Sequence, residues 1–369
     1  MEFTATRSDL VRELSLSQGV VEKRTTIPIL SNVLLEASGD RITLTATDLE
    51  LGIRCSCPGR VKKEGVGTVP ARKLLDYVRL LPEGDVTMKF LENHWVSITC
   101  GRSRTRIAGM SRESFPELPE APEAIAEIPV KALSGMIART AFAISTEESR
   151  FTLSGALLLI RAEGLNMVAT DGHRLALVQT PAGEGACQTF RALVPHKALM
   201  ELVRLTGEYE PESRAVLASD DNHLFFQFGH RLLITRKLTG NFPDYERVLP
   251  KDHTHHAKLK RDEIRAAIER VAQFADERSR AIRVQFTPGE VRVFSSAVET
   301  GDSEESVPAE YQGPELEIGF NAQYLLEFLR VTATENVVFE LKDSKSAGEL
   351  RPDAEGPDVY RYVVMPMRI

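Results

Sequence analysis

The stretch VATDGHRLAL, Val168 to Leu177, is where a strand pattern breaks and then resumes. Leu165, Met167 and Ala169 alternate into it, and Leu175 and Leu177 carry apolar character beyond it. Between them Thr170-Asp171-Gly172-His173-Arg174 forms a polar kink whose glycine can take the positive φ of a tight turn. A hairpin with Asp, His and Arg crowded at its tip is therefore expected. Taken alone, the tip reads as a solvated turn. Asp171 and His173 as a catalytic or metal pair would need a nucleophile with a base, a second acidic cluster or a phosphate loop of the GxxxxGK[ST] kind, and the sequence supplies none of these.

Working outward, the chain repeats itself three times. Leu74-Leu75-Asp76-Tyr77-Val78-Arg79 returns as Leu199-Met200-Glu201-Leu202-Val203-Arg204 and as Leu325-Leu326-Glu327-Phe328-Leu329-Arg330. Gly39, Gly164 and Gly289 each punctuate a hairpin at matching positions. An earlier helix also appears in triplicate, at Leu10/Leu14, Leu133/Ile137 and Ile264/Ile268. Each copy thus reads as a doubled unit of helix plus antiparallel sheet, an α+β domain. The Pro- and Glu-rich run from Pro116 to Pro129 and the segment Val248 to His256 separate the copies. Domains are expected at 1–124, 125–252 and 253–369.

Composition narrows the function. Of 369 residues 42% are apolar and 27% charged, a soluble globular balance. No apolar run is long enough to span a membrane, and the opening MEFTATRSDLVREL has no signal-peptide core, so a cytoplasmic protein with no membrane role is expected. Cys55, Cys57, Cys100 and Cys187 have neither zinc-ribbon nor disulfide spacing. His253, His255 and His256 read as a linker with no carboxylate or cysteine set beside them, so no metal and no cofactor are expected. The net charge of −7 argues against a protein that grips nucleic acid by bulk phosphate neutralisation.

Geometry offers another way to hold DNA. Helices packed about 9–10 Å apart in a ring of six enclose an axis circle ~18 Å across, leaving ~8 Å inside. A ring of twelve encloses ~36 Å and leaves ~26 Å, room for a duplex whose two groove depths alone sum to ~16 Å. Two chains would be required. Basic residues on and beside the helices, among them Arg72, Lys73, Arg79, Lys197 and Arg204, would line such a bore without reading sequence. The acid, as in Glu299 to Glu310, would lie outside.

Several long stretches then resemble the bacterial DNA polymerase III β subunit, or β sliding clamp, family in the right order: TIPILSNVLLEA (26–37), LTATDLELGI (44–53), VPARKLLDYVRLLPEG (69–84), VATDGHRLAL, NFPDYERVLP (241–250), EIGFNAQYLLEFL (317–329) and the terminal YVVMPMRI (362–369). The resemblance implies three tandem clamp domains closing as a head-to-tail homodimeric ring on double-stranded DNA. It implies a clamp loader that places the ring. It also implies processivity for the DNA polymerase III α subunit, other polymerases and repair proteins, which bind through short motifs containing Leu or Phe. No catalytic residue is implied.

Carried over motif by motif, the partner groove would use Leu153, Thr170, Gly172, His173, Arg174, Leu175 and Leu177. Pro243, Arg247 and Val248 would follow from NFPDYERV, and Asn321 and Tyr324 from FNAQY. Val363, Val364, Met365, Pro366, Met367 and Arg368 would close it. Two methionines around a proline make an adaptable apolar wall, and His173, Arg174, Arg247 and Arg368 offer donors to a peptide. Ser279, Lys345 and Glu246 depart from the family pattern, Glu246 by setting an acid beside Arg247. For DNA the resemblance points to Arg24, Arg72, Lys73 and Lys197; for ring closure, to Lys73, Ile107 and Phe274. The alternatives are a specialised clamp paralogue and a peptide-binding scaffold that encircles nothing; oligomeric state separates the latter.

Overall fold

The computed structural model describes residues 1–21, 25–147, 149–181, 189–297 and 301–368. Six helices of ten or eleven residues fall where the repeat places them: α1 (Arg7–Ser17), α2 (Ala71–Leu80), α3 (Val130–Thr140), α4 (His196–Thr206), α5 (Arg261–Val271) and α6 (Ala322–Val331). Their ends follow capping chemistry. Thr6 accepts from the Asp9 amide at the start of α1, and Asn321 accepts from the Gln323 amide at the start of α6. Every helix is short enough to need its apolar face buried to persist. No helix among the described residues is long and apolar enough to cross a membrane.

The chain divides into two compact units. The first comprises 1–131 and 197–237. Its five-stranded antiparallel sheet runs Arg60–Lys63, Glu2–Thr6, Asp85–Phe90, Trp95–Cys100, Ser103–Ala108. Its eight-stranded sheet is made from two copies of the repeat. Gly65–Pro70, Asn32–Ser38, Arg41–Thr47 and Leu51–Pro58 come from one copy. Arg231–Arg236, His223–Phe228, Arg214–Ser219 and Ala124–Pro129 come from the next. The copies meet where Ile234 pairs with Gly52. α1 lies against α2, and Leu10, Leu14, Leu74 and Val78 meet Phe3, Leu35, Ile42 and Val86 in one fully buried core.

The second unit comprises 132–196 and 238–369, and its twelve-stranded sheet repeats the scheme. Phe190–Pro195, Gly155–Arg161, Gly164–Thr170 and Arg174–Pro181 are followed by Val359–Val364, Gly348–Pro352, Asn336–Leu341 and His255–Lys260. Here the copies meet where Leu175 pairs with Val363. The sheet continues through Gly301–Glu310, Glu290–Ala297, Ala281–Thr287 and Leu316–Asn321. Tyr362, fully buried, stacks on Phe328 of α6 at 5.2 Å. Sheet continuity therefore crosses each copy junction inside a unit.

Each junction also carries buried charge. In the first unit Glu13 of α1, fully buried, accepts two bonds from Arg231 at 2.7 and 2.9 Å. Burial pushes the Glu13 carboxyl up, but the Arg231 and Arg12 guanidiniums outweigh it and hold the group below the ordinary carboxylate value. In the same unit the Lys197 ammonium, expected to face DNA, also ties the copies together through Asp48 and the Val20 carbonyl.

Candidate functional site

The hairpin tip is held by its own side chains. Asp171 Oδ1 accepts from the His173 and Arg174 amides at 2.9 and 3.1 Å. Thr170 Oγ1 accepts from the Gly172 amide and donates to the Arg174 carbonyl, with Gly172 at φ +90°. Asp171 is thus engaged with backbone and with Arg174, while His173 is exposed. Asp171 meets the His173 backbone amide and forms no side-chain dyad with His173.

Arg174 lines the pocket described below, as expected, and its guanidinium is already engaged within the chain. Its guanidinium is 8% exposed and bonds Asp171, Glu327, the Phe142 carbonyl at 2.6 Å and the Tyr362 hydroxyl at 3.4 Å. Tyr324 lies beneath it, 4.4 Å from ring centre to guanidinium carbon. The arginine and Tyr324 together pin α6 and the terminal strand to the hairpin. Asn321 serves the same helix as its cap.

Beside the hairpin opens an apolar pocket of about 110 Å3. One wall is the sheet, with Leu175 and Val363 side by side; Leu153, Thr170 and Gly172 close one end. The facing wall is the segment after Asn241, which supplies Pro243, Tyr245 and Val248 around a short 3-10 turn at Tyr245–Arg247. Met365 forms the rim, its amide bonded to the His173 carbonyl at 2.9 Å, and the Met367 amide reaches the Gly319 carbonyl at 2.8 Å. The tail therefore runs from the hairpin tip to the strand leading into α6.

Other expected groove residues sit elsewhere. Leu177 belongs to the buried floor, and Val364 is fully buried. Arg247 stands in solvent paired with Asp244 at 2.7 Å; Glu246, its expected neutralising neighbour, lies near Arg161 instead, at 3.6 Å. Pro366 and Met367 are half-buried along the tail, and Arg368 is exposed. Ser279 and Lys345 occupy turns closed by Asp276 and Asp343. Tyr245, a wall of the pocket, was signalled only by its place in NFPDYERV.

The first unit contains the same turn in a closed setting. Thr47-Asp48-Leu49 reproduces the hydrogen bonds of Thr170-Asp171-Gly172, with Leu49 at φ +81°. Gly52 stands where Leu175 stands, and Ile234 where Val363 stands. A Cβ on Gly52 would lie 3.0 Å from a Leu118 methyl, so Leu118 already fills the space over the sheet. Arg236 replaces the rim methionine, its amide on the Glu50 carbonyl at 2.8 Å.

Two sheet edges have opposite charge. Ser103–Ala108 ends the five-stranded sheet and exposes Arg104 and Arg106. In the second unit Gly301–Glu310 meets His255–Lys260 only through Ala309 and Glu310, which leaves 301–308 open along one side among the described residues, with Asp302 and Glu304 exposed. Ile107, expected at the closure surface, is 3% exposed and belongs to the core; Phe274 is half-buried. Arg72 and Lys73 are exposed on α2, and Arg24 lies outside the described residues.

The histidine segment is corrected by the fold. His255 and His256 are in a strand, and His253 Nδ1 lies 3.4 Å from Glu340 and 4.0 Å from Glu349, carboxylates remote in sequence. Those three groups stand close enough to share an ion, but Arg351 and Arg361 already balance the two carboxylates. The cluster clips the linker: Arg361 also bonds the Pro250 carbonyl at 2.9 Å. The His253 hydrogen bond, aided by Arg351 and opposed by burial, holds the Glu340 carboxyl down to about 2. A carboxyl depressed in the fold stabilises above its ordinary value of 4.5, and that contribution is lost as pH falls from there toward 2. Urea midpoints measured from pH 6 to pH 3 should fall less steeply for Glu340→Gln than for the wild type. Parallel curves would remove Glu340 from the acid response.

Comparison with known proteins agrees with this geometry. Models of the N-terminal, central and C-terminal domains of the DNA polymerase III beta subunit match residues 1–119, 127–244 and 246–368. The chain is 38% identical to the beta sliding clamp of Pseudomonas aeruginosa over 375 residues, covering all of both chains. A crystal structure of the Pseudomonas aeruginosa DnaN sliding clamp bound to griselimycin superposes with a TM-score of 0.94 at 36% identity, over all of both chains. The DNA polymerase sliding clamp of Bacillus subtilis superposes at 0.94 with 25% identity, over 100% of this chain and 99% of that one. With three tandem clamp domains, this chain belongs to the DNA polymerase III beta subunit family, the beta sliding clamps.

Proposed function

We propose that the chain is one half of a two-chain ring that encircles duplex DNA and holds partners by short peptides in the pocket beside Gly172. As a beta sliding clamp it is a processivity subunit of DNA polymerase III with no catalytic site of its own. Its copies divide near residues 124 and 252. The carrying observation is the apolar pocket between Leu175, Val363, Val248 and Met365, which suits a buried Leu or Phe anchor. Met365, 38% exposed and unbranched, can reshape the rim for different anchors.

Ring closure is assigned to the two open edges. Pairing of Ser103–Ala108 of one chain with 301–308 of its partner extends both sheets and sets Arg104 and Arg106 against Asp302 and Glu304. Head-to-tail contacts of this kind close when the rotation completes a ring. Reversing both arginines (Arg104→Glu with Arg106→Glu) should weaken assembly by about 100-fold, on the order of two like-charge contacts. Sedimentation against concentration reads this, and Trp95, the only tryptophan, is paired beside the edge at Ala108 as an emission reporter. Mixing with chains carrying Asp302→Arg and Glu304→Arg should restore assembly. Unchanged assembly of the reversed chain would reject these edges.

The whole reading is tested by retention on circular against linearised DNA after loading with a clamp loader and ATP. Retention on the circle and loss from cut ends is expected. Equal loss from both would leave a peptide-binding scaffold.

A further inference from the structure

The sheet face that floors the apolar pocket changes character along its strands. Reading away from Gly172, the first row across Gly164–Thr170, Arg174–Pro181 and Val359–Val364 holds Thr170, Leu175 and Val363, which line the pocket. The second row holds Val168 and Leu177 with Arg361, and the third holds Asn166 and Gln179 with Val359. Residues 241–250 cross the second row as a strap. Phe242 and Tyr245 share a buried cluster with Val168 and Leu177, and the Pro250 carbonyl accepts a bond from Arg361. Beyond the strap a pocket of about 310 Å3 opens over the third row, between Asn166, Gln179, Val359 and Pro357, with Arg161 and Glu163 beside them.

The strap belongs to both pockets. Tyr245 lines the first, and its hydroxyl meets Glu246 at 3.4 Å and lies beside Asn166 and Arg161, which line the second. Glu246 in turn faces Arg161 at 3.6 Å. Asn166 is 7% exposed, on a face whose preceding rows are mainly aliphatic. A side-chain amide buried that far costs free energy unless it is hydrogen-bonded. Asn166 and Gln179 each offer two donors and an acceptor, more than one tyrosine hydroxyl can use. Val359 adds exposed apolar surface next to them. Arg161 and Glu163 carry opposite signs, so the pocket favours neither an acidic nor a basic ligand.

We propose that this pocket is a second foothold for the peptides held beside Gly172, taking an uncharged flank of the bound segment. The proposal rests on the groove reading, whose pocket lies on the same three strands. Side-chain amides donate and accept as the peptide group does, so Asn166 and Gln179 suit the backbone of an extended flank. Val359 and Pro357 suit its apolar side chains. From Leu175 to Gln179 the strand advances roughly 13 Å, which an extended peptide covers in about four residues. A flank of about four to six residues therefore clears the strap and reaches the third row. The flank, and not the Leu or Phe anchor alone, then sets which partner the chain prefers.

The test uses the full-length chain and a pool of peptides with a fixed Leu/Phe anchor and about six randomised residues on either side. Peptides selected on the wild type are measured by fluorescence anisotropy beside the bare anchor peptide, on the wild type and on Gln179→Ala with Val359→Ser. The wild type should enrich uncharged flanks that bind about 10-fold tighter than the bare anchor, the gain expected of one or two added hydrogen bonds. The double variant should bind the bare anchor as the wild type does, which also shows that it folds, and should lose the gain. If no flank improves on the bare anchor, if charged flanks are the ones enriched, or if the gain survives the double variant, the proposal is overturned and the groove stands. A bare anchor peptide that fails to bind the wild type overturns the groove, and the second foothold with it.

Discussion

Removal of Met365 to Ile369 is expected to weaken peptide binding severely and leave the two-chain assembly intact. The deletion takes away the rim at Met365 together with its bond to the His173 carbonyl and the Met367 bond to Gly319. It spares the strand Val359–Val364, whose pairing with Arg174–Pro181 keeps the sheet closed. Burying one Leu or Phe anchor is worth roughly 1.5–3 kcal/mol, and an anchor exposed on one side keeps only part of that. Losing that anchor's burial should lower affinity by about 10- to 100-fold. Fluorescence anisotropy with a labelled Leu/Phe peptide measures the loss, and sedimentation measures the assembly. Binding retained at the wild-type level would reject the groove.

Separating Glu13 from Arg231 should produce the largest loss of stability in the first unit. Arg231→Met leaves a fully buried carboxylate with only Arg12 and a distant His230, at 3.1 and 3.7 Å. Breaking one side of a buried pair costs about 3–5 kcal/mol, whereas replacing both sides by apolar groups is often near neutral. The urea midpoint of Arg231→Met should drop accordingly, and Glu13→Leu with Arg231→Met should recover much of the loss. If the double variant is as unstable as the single one, the pair contributes through packing around Tyr209, whose ring lies 5.4 Å from the Arg231 guanidinium carbon.

What could be read from the sequence was local. The triple repeat, the six helices and the hairpin at Gly172 depend on period and turn chemistry within a few residues, and the structure places them as expected. Partner choice between remote residues was hidden. That Lys197 would also meet Asp48, and that Arg174 would spend its nitrogens on Glu327 and the Phe142 carbonyl, could not be seen before folding brought those groups together. The His253 linker looked short of carboxylates because Glu340 and Glu349 arrive from strands far along the chain. The two edges left a fainter trace. Arg102, Arg104 and Arg106 alternate as Asp302 and Glu304 do, and that complementarity becomes informative only once both are known to lie on open edges.

Leu118 over Gly52 has a consequence for traffic. Triplication alone would multiply sockets along with domains, and a ring with several equivalent sockets could carry several clients at once. On the groove reading proposed above, filling the socket of the first hairpin with a side chain of its own leaves that hairpin closed to a client and the pocket beside Gly172 open to one. On that reading, clients sharing the pocket take turns, and the order in which they act becomes a question of residence time and local abundance.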